Sequence, residues 1–330
     1  MAILLSDLKV GMADKVQAGV IDTFIRESAI LARLPFDDAV SPSSGSTMTY
    51  GYVQTKIPGQ TGFRALNTEY TPSEATVEKK TVDLKILGGA FQIDRVIKAA
   101  EGLWDNMEYQ ITEKVKSAIG TFHNGLINGS SVSDALSFDG LSVMLTGTTS
   151  EYNAAVVIDI STAALLETNA SAFYEALMKM VRKTGANAIF VNSDMAAKIE
   201  TVARVLGYKT LSEDAFGRTI TSLSNGVEIV DLGKRYTVAD DVVTGKDIID
   251  TVTRTVATVE TTGLTDIFCA KYGVMDGLCG VTLTGNNAIE TYLPDFTTPG
   301  AVKEGEVELV AACALKKTQS AGVLRNIKIS

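Results

Sequence analysis

The residue types that most often carry out chemistry in proteins are scarce in this sequence. Histidine, the usual general base at neutral pH and a common metal ligand, occurs only at His123 among 330 residues. The cysteines Cys269, Cys279 and Cys313 are odd in number and form no CxxC pair, which argues against a disulfide framework and a zinc site. We expect a packed or helix-capping histidine and three buried thiols.

The segment around residue 245 lacks the patterns of a phosphate-binding loop and of a calcium-binding loop. Gly245-Lys246 fails as a phosphate-binding loop, because Asp240 and Asp247 occupy the positions of its first glycine and its hydroxyl residue. The aspartates from Asp240 to Asp250 lack the spacing of a calcium loop. No GxSxG, HExxH or GxGxxG motif occurs. We therefore predict no catalytic residue, no cofactor and no metal, although a carboxylate pair joined only by folding stays open as an alternative.

Composition and charge indicate a globular protein that does not grip nucleic acid. The chain has 30 Lys+Arg against 39 Asp+Glu, for a net charge of −9, and is 45% hydrophobic. Its longest basic runs are pairs such as Lys79-Lys80, too short to form a stripe along phosphates. No apolar run reaches the roughly 18 residues of a membrane span, and Met1–Val10 lacks the pattern of a secretory signal.

The N-terminal region predicts an amphipathic helix. Val16, Val20, Phe24 and Ile25 recur at helical spacing, with charged residues elsewhere on the cylinder. Pro35 ends the segment, since proline disrupts a helix interior.

A long hairpin is predicted between residues 48 and 94. Strand-type residues near Tyr50 and an alternating run from Val82 to Asp94 flank a polar stretch at 58–73. Loops this long are uncommon unless they are functional or docked on another surface. An arm and a hairpin that bury themselves poorly indicate a homo-oligomer.

The rest of the chain predicts a mixed α+β unit. Apolar residues from Trp104 to Leu126 step by three or four, predicting a long helix that ends near Gly129. Residues 138–245 alternate helix and strand, and residues after about 247 are rich in strands. The clearest of these elements are a helix closed by Thr184-Gly185, a strand Ala188–Val191, a helix capped by Ser193, an irregular segment Gly207–Arg218, a strand at 227–230, and late strands Ile267–Tyr272, Leu278–Leu283 and Val307–Leu315.

The order of these parts resembles that of the tailed-bacteriophage major capsid proteins of the Hong Kong ninety-seven type, over nearly the full length. No single motif carries the resemblance; the ordered set does. The segments that carry it are Ala18–Ser28 with Leu31–Phe36 for the arm, Gly62–Tyr70 for the extended loop, Trp104–Asn128 for the spine helix, Phe138–Leu141 and Ala188–Leu206 for the axial domain, and Gly263–Gly273 with Gly277-Leu278 for the late strands.

The resemblance implies an α+β phage capsid fold with an arm, an extended β-hairpin loop, a spine helix, and peripheral and axial domains. The boundaries expected from it are 1–57 for the N-terminal arm, 58–93 for the extended loop hairpin, 94–137 for the peripheral domain with the spine helix, 138–246 for the axial domain, and 247–330 for peripheral-domain strands with a return to the axial domain.

The resemblance also implies a structural shell protein that self-assembles as pentamers and hexamers around packaged double-stranded DNA, in a virion capsid assembled in the host cytoplasm. A portal and a separate scaffolding protein are expected partners, without membrane contact or sequence-specific DNA binding. The expected inter-subunit contact residues are Phe24, Arg26, Phe63, Arg64, Glu69, Tyr70 and Arg218. No motif pairs the loop lysines with Asn286-Asn287 for a covalent cross-link.

Two alternatives stay open. An encapsulin-like cellular compartment would have the same fold around a cargo enzyme. A soluble α+β enzyme using carboxylates would show a concave pocket with converging acidic groups of shifted pKa.

Overall fold

The computed structural model describes most of the chain in defined elements. The described residues are 30–31, 33–39, 48–100, 106–208, 211–213, 219–223, 225–240, 242–283 and 289–330. The predicted N-terminal helix, Trp104 and Asn286-Asn287 lie outside them.

Five α-helices occur in the described part. In chain order they are α1 Arg95–Ala99, α2 Asn106–Asn128, α3 Leu141–Leu145, α4 Ala163–Thr184 and α5 Ser193–Val205.

The strands divide mainly between two sheets. In chain order they are β1 Phe36–Asp38, β2 Thr49–Ile57, β3 Thr76–Asp83, β4 Lys85–Asp94, β5 Glu151–Tyr152, β6 Ile158–Asp159, β7 Ala188–Val191, β8 Leu211–Glu213, β9 Thr219–Thr221, β10 Glu228–Asp231, β11 Lys234–Ala239, β12 Val242–Asp247, β13 Val252–Val256, β14 Val259–Ala270, β15 Leu278–Thr282, β16 Glu290–Tyr292, β17 Val302–Leu315 and β18 Ala321–Lys328.

The larger sheet has seven strands and is covered by α4 and α5. Its main order is β10-β7-β14-β18-β5, with β13 paired to β14 and β6 paired to β18. Strand β7 is buried along its whole length, as expected for a strand inside a mixed sheet. Phe173, Leu177 and Met180 of α4 pack with Ile189 and Ile267 of the sheet in one hydrophobic cluster.

The smaller sheet has five strands around β17. Strand β4 pairs with one side of β17 over residues 302–311, and β15 and β16 pair with the other side. Phe122 and Leu126 of α2 lie in the same hydrophobic cluster as Leu309 of β17. At Gly129, an added Cβ would meet the carbonyl oxygens of Phe138 and Gly125, so only glycine allows the chain to leave the helix so closely.

Several predicted helices are confirmed, and one predicted N-cap residue is wrong. Helix α2 covers the predicted range as far as the structure describes it, and α4 ends at Gly185 in the left-handed conformation, with φ 63°. The cap of α5 is Asn192 rather than Ser193, because the Asn192 side chain accepts a hydrogen bond from the backbone N–H of Met195 at 2.8 Å.

The hairpin ends at Asp83, before the end of the run predicted for it between residues 48 and 94. Strands β2 and β3 pair from Thr49 opposite Asp83 to Ile57 opposite Thr76. Buried Leu84 then separates β3 from β4, which turns into the five-stranded sheet. The apolar alternation continues across this break, so it cannot reveal that the run serves two sheets. Similarly, the segment Gly207–Arg218, which was predicted to be irregular, contains β8, and β8 pairs with β9.

Candidate functional site

The β2–β3 hairpin is attached to the body of the protein through one of its two faces. Side chains alternate between faces along a strand, so Tyr50, Tyr52 and Gln54 of β2 share one side. The Tyr52 hydroxyl donates to the carbonyl of Leu315 at 3.1 Å, and the Gln54 amide donates to the carbonyl of Lys316 at 2.5 Å. We call this side the inner face.

The opposite, outer face of the hairpin exposes apolar side chains among its polar ones. Val53 of β2, and Val77 of β3 opposite Thr55, are each 67% exposed. A two-stranded ribbon is at best marginally stable by itself in water. These side chains have no covering layer among the described residues, which makes the outer face a candidate contact surface.

The loop from residue 58 to 75 presents large side chains at the far end of the hairpin. Phe63 is fully exposed and Leu66 is 88% exposed. The turn is held internally, because the Arg64 guanidinium donates to the Thr68 carbonyl at 3.1 Å and lies 5.3 Å from the centre of the Tyr70 ring. The loop therefore presents Phe63 and Leu66 on an internally held, otherwise polar turn.

Among the described residues, the charged side chains predicted as contacts at the tip have no ionic partner. Arg64 contacts a carbonyl oxygen and a ring rather than a carboxylate, and Glu69 forms no ion pair with the described residues. Pairing of these charges with a neighbouring subunit stays a prediction. Phe24, Arg26 and Arg218 lie outside the described residues.

A polar cluster that the sequence analysis missed joins the hairpin to the segment before it. The Tyr50 hydroxyl donates to Asp37 at 2.6 Å, and the Lys316 ammonium lies 3.2 Å from the same carboxylate oxygen and 4.9 Å from the centre of the Tyr50 ring. Burial alone would raise the pKa of Asp37, but hydrogen bonds from Tyr50 and Lys316 outweigh it and lower the pKa. Burial and the Asp37 carboxylate together raise the pKa of Tyr50.

The segment that carries Asp37 is docked on the core. Ile30 and Leu34 are buried, and Arg33 forms an ion pair with Glu228. Strand β1 then pairs in parallel with β15. The segment at residues 33–39 and the hairpin therefore share one polar cluster.

The histidine and the cysteines, which the sequence analysis considered for chemistry, are packed in the interior of the protein. His123 is 2% exposed, its Nε2 has no hydrogen-bond partner among the described residues, and burial lowers its pKa to about 4. It is thus a neutral packed residue, and the prediction of a helix-capping cation does not apply. Cys269, Cys279 and Cys313 are free and buried, as predicted.

A cleft of about 400 Å³ lies between α2 and the β11–β12 hairpin and contains several carboxylates. Burial, opposed by Lys234 and reinforced by neighbouring aspartates, raises the pKa of Asp247. Its carboxylate nevertheless lies 3.9 Å from the Lys234 ammonium, and Asp250 lies 2.8 Å from that of Lys246. The cleft holds cation-paired carboxylates, and no group of three or more metal-ligating side chains occurs among the described residues.

The third carboxylate of the cleft, Asp266, belongs to a buried ionic network. Its two oxygens accept from Arg254 at 2.7 and 2.6 Å, and one also accepts from Arg325 at 2.8 Å. Arg325 also donates to Glu151 at 3.0 Å. This network joins β13, β14, β18 and β5 of the seven-stranded sheet, so its role is to hold the sheet together.

In the described chain, no helix is long and apolar enough to cross a membrane.

Comparison with known proteins identifies the fold. Neither a protein-family profile nor a curated protein sequence matches the chain. Three similar solved structures cover nearly all of it. They are the holo-SrpI encapsulin complex from Synechococcus elongatus PCC 7942, with 12% identity over 99% of this chain and 97% of that one and a TM-score of 0.63; the capsid of a native GTA particle, with 11% identity over 99% and 98% and a TM-score of 0.61; and Mycobacterium phage Bobi, with 9% identity over 100% of each chain and a TM-score of 0.61.

These likenesses confirm the predicted fold class. The chain has the mixed α+β architecture of the phage capsid fold, shared by phage capsids and an encapsulin shell. Identities of 9–12% establish the fold alone.

Proposed function

We propose that this protein is the structural subunit of a capsid-type shell, and specifically a phage major capsid protein. The observation that carries the proposal is the projecting β2–β3 hairpin, whose outer face and tip expose apolar side chains that no other described residue covers. In a shell of identical subunits each hairpin lies on a neighbour, so its apolar surface is removed from water. The capsid fold over the full length supports the same conclusion.

The finer features follow from the same proposal. Subunits assemble as pentamers and hexamers into an icosahedral shell that encloses double-stranded DNA. Assembly takes place in the host cytoplasm with a separate scaffolding protein and a portal. The net charge of −9 suits a container whose wall does not bind the packaged phosphates tightly. The protein has no catalytic role in this account.

The proposal is tested by removing one apolar side chain from the tip. Burying a phenylalanine contributes about 1.5–3 kcal/mol, so Phe63→Ser should weaken each contact roughly 10- to 150-fold. We expect a higher protein concentration for assembly, measured by light scattering, with an unchanged melting temperature of the unassembled subunit. Val156→Ser is the control, because Val156 is 59% exposed in the loop between β5 and β6, two strands of the seven-stranded sheet to which the hairpin does not belong. Equal effects of the two substitutions, or a loss confined to subunit stability, would contradict the proposal.

An encapsulin-like compartment is the second candidate, favoured by the likeness to an encapsulin complex at a TM-score of 0.63. Particles isolated from cells that naturally make the protein distinguish the two. Nuclease-protected DNA supports the phage capsid, whereas a single enclosed protein without DNA supports the compartment.

A further inference from the structure

We propose that Tyr50, Tyr52 and Gln54 are positioning residues that fix the direction of the hairpin before a neighbouring subunit is met. This inference rests on the proposed function of the hairpin as a contact between subunits. It assigns the three side chains a role in the geometry of assembly.

The three residues form a row of attachments along the root of the hairpin. Each bonds to a different point of the body: Tyr50 to the Asp37 carboxylate at 2.6 Å, Tyr52 to the Leu315 carbonyl at 3.1 Å, and Gln54 to the Lys316 carbonyl at 2.5 Å. Three points in a row resist rotation of the ribbon, whereas a single point would act as a pivot.

The attachments lie at the near end of a lever. Strand β2 continues from Tyr50 to Ile57, a distance of about 23 Å at roughly 3.3 Å per residue. A rotation of about 10° at the root therefore moves Ile57 by about 4 Å, and the tip by more. Contacts between subunits reach the packing density of protein interiors, so a displacement of this size prevents them from forming.

Local geometry leaves room for the hairpin to swing if the attachments are lost. A cleft of about 390 Å³ separates the inner face from the 131–139 loop, with Tyr52, Gln54 and Lys80 on one side and Ser137 and Phe138 on the other. The hairpin has no other strand partner among the described residues, since β2 and β3 pair only with each other. Apart from the chain continuing through buried Leu84 into β4, its direction is therefore set by the root side chains.

Asp37 connects the attachments of the hairpin to the preceding strand, β1. The carboxylate lies on β1, whose placement is fixed by parallel pairing with β15. Lys316, at the end of β17, holds the same carboxylate at 3.2 Å. The hairpin is thus aligned against two strands of the five-stranded sheet at once.

The test measures the direction of the hairpin separately from assembly. Spin labels are attached through Gly62→Cys at the tip and Gly120→Cys on α2, because an added Cβ meets nothing within 4 Å at either position. The native cysteines are buried and stay unlabelled. The variant Tyr50→Phe/Tyr52→Phe/Gln54→Met removes the three attachments and keeps side-chain size. Tyr292→Phe is the control, since its hydroxyl bonds Glu290 outside the hairpin.

We expect the distance distribution between the labels to broaden at least twofold in the triple variant, and its assembly to slow at least tenfold, with the Tyr292→Phe control unchanged in both. Tyr52→Phe alone replaces the triple variant if that protein does not fold. An unchanged distance distribution would overturn the inference, as would a broad distribution combined with an unaltered assembly rate. If the unsubstituted protein forms no shell while the distribution still broadens, the positioning of the hairpin is supported and the proposed function fails.

Discussion

Substitution of Asp266 probes the buried network that joins four strands of the seven-stranded sheet. Asp266 is 5% exposed and accepts hydrogen bonds from Arg254, Arg325 and the backbone N–H of Asn326. Asp266→Asn preserves the shape of the side chain but removes its charge. The two guanidinium groups are then left with the Glu151 carboxylate as their shared counter-charge.

The size of the effect follows from burial. Removing one partner of a buried ion pair costs about 3–5 kcal/mol, because the remaining charge is desolvated without compensation. The Arg254 side chain is 35% exposed, so solvent screens part of its charge, and we take about 3–4 kcal/mol. With an unfolding entropy of about 2.1 cal/mol/K per residue, 330 residues lose roughly 4–6 °C in melting temperature.

The dependence on pH has a defined sign. Burial alone would raise the pKa of Asp266, but Arg254 and Arg325 outweigh burial and lower the pKa below the ordinary 3.8. A lowered pKa of a carboxyl group stabilises the folded state above pH 3.8, and this contribution is lost as pH falls through the folded-state pKa. The difference between wild type and Asp266→Asn should therefore be constant from pH 7 to pH 5 and shrink at more acidic pH.

Calorimetry of the unassembled subunit measures the effect, with Asp276→Asn as the matched control. Asp276 forms a 2.6 Å ion pair with Lys271, and both side chains are exposed, so we expect an unchanged melting temperature. A shift below about 1.5 °C for Asp266→Asn, corresponding to about 1 kcal/mol, would refute the reasoning, as would equal shifts in both variants.

Three further substitutions test the packing and the charges. Gly280→Ala should destabilise the subunit by about 1–3 kcal/mol in chemical denaturation, because its Cβ would meet the Phe36 ring, and adding Phe36→Leu should restore part of the loss. Burial lowers the pKa of His123 to about 4, so the unfolded chain binds the proton first as pH falls. The free energy of unfolding of the wild type should therefore fall by about 3 kcal/mol between pH 6.5 and pH 4, and His123→Leu should abolish this fall. Glu308→Gln should raise the melting temperature slightly at low salt and not at high salt, because Glu290 stands directly opposite Glu308.

The elements predicted correctly from the sequence are those with a local signal. The apolar residues of α2 recur at helical spacing, and Gly185 and Gly129 mark helix ends where a side chain would be strained or obstructed. The hairpin was predictable in outline because its middle is polar between two strand-like runs. The free, buried cysteines were predictable because they are odd in number and form no CxxC pair, so the sequence indicates neither a disulfide nor a zinc site for them.

The features that the sequence did not reveal depend on contacts between distant residues. Asp37 meets Lys316 across 279 positions, and Asp266 meets Arg325 across 59. Neither pair has a spacing that a local pattern could identify. The break at Leu84 was hidden for a related reason, since β3 and β4 have the same alternation and only their partners differ. For the contact residues of the tip, the sequence predicted exposure but not the partner.

The central claim is that this chain builds a shell from copies of itself. The most direct measurement is the mass and shape of the purified protein, by light scattering together with negative-stain electron microscopy. Closed shells, or rings of five and six subunits, are the predicted result. A monomer or small dimer whose hairpin resists protease would contradict the account, because the outer face and tip would then be covered within a single chain.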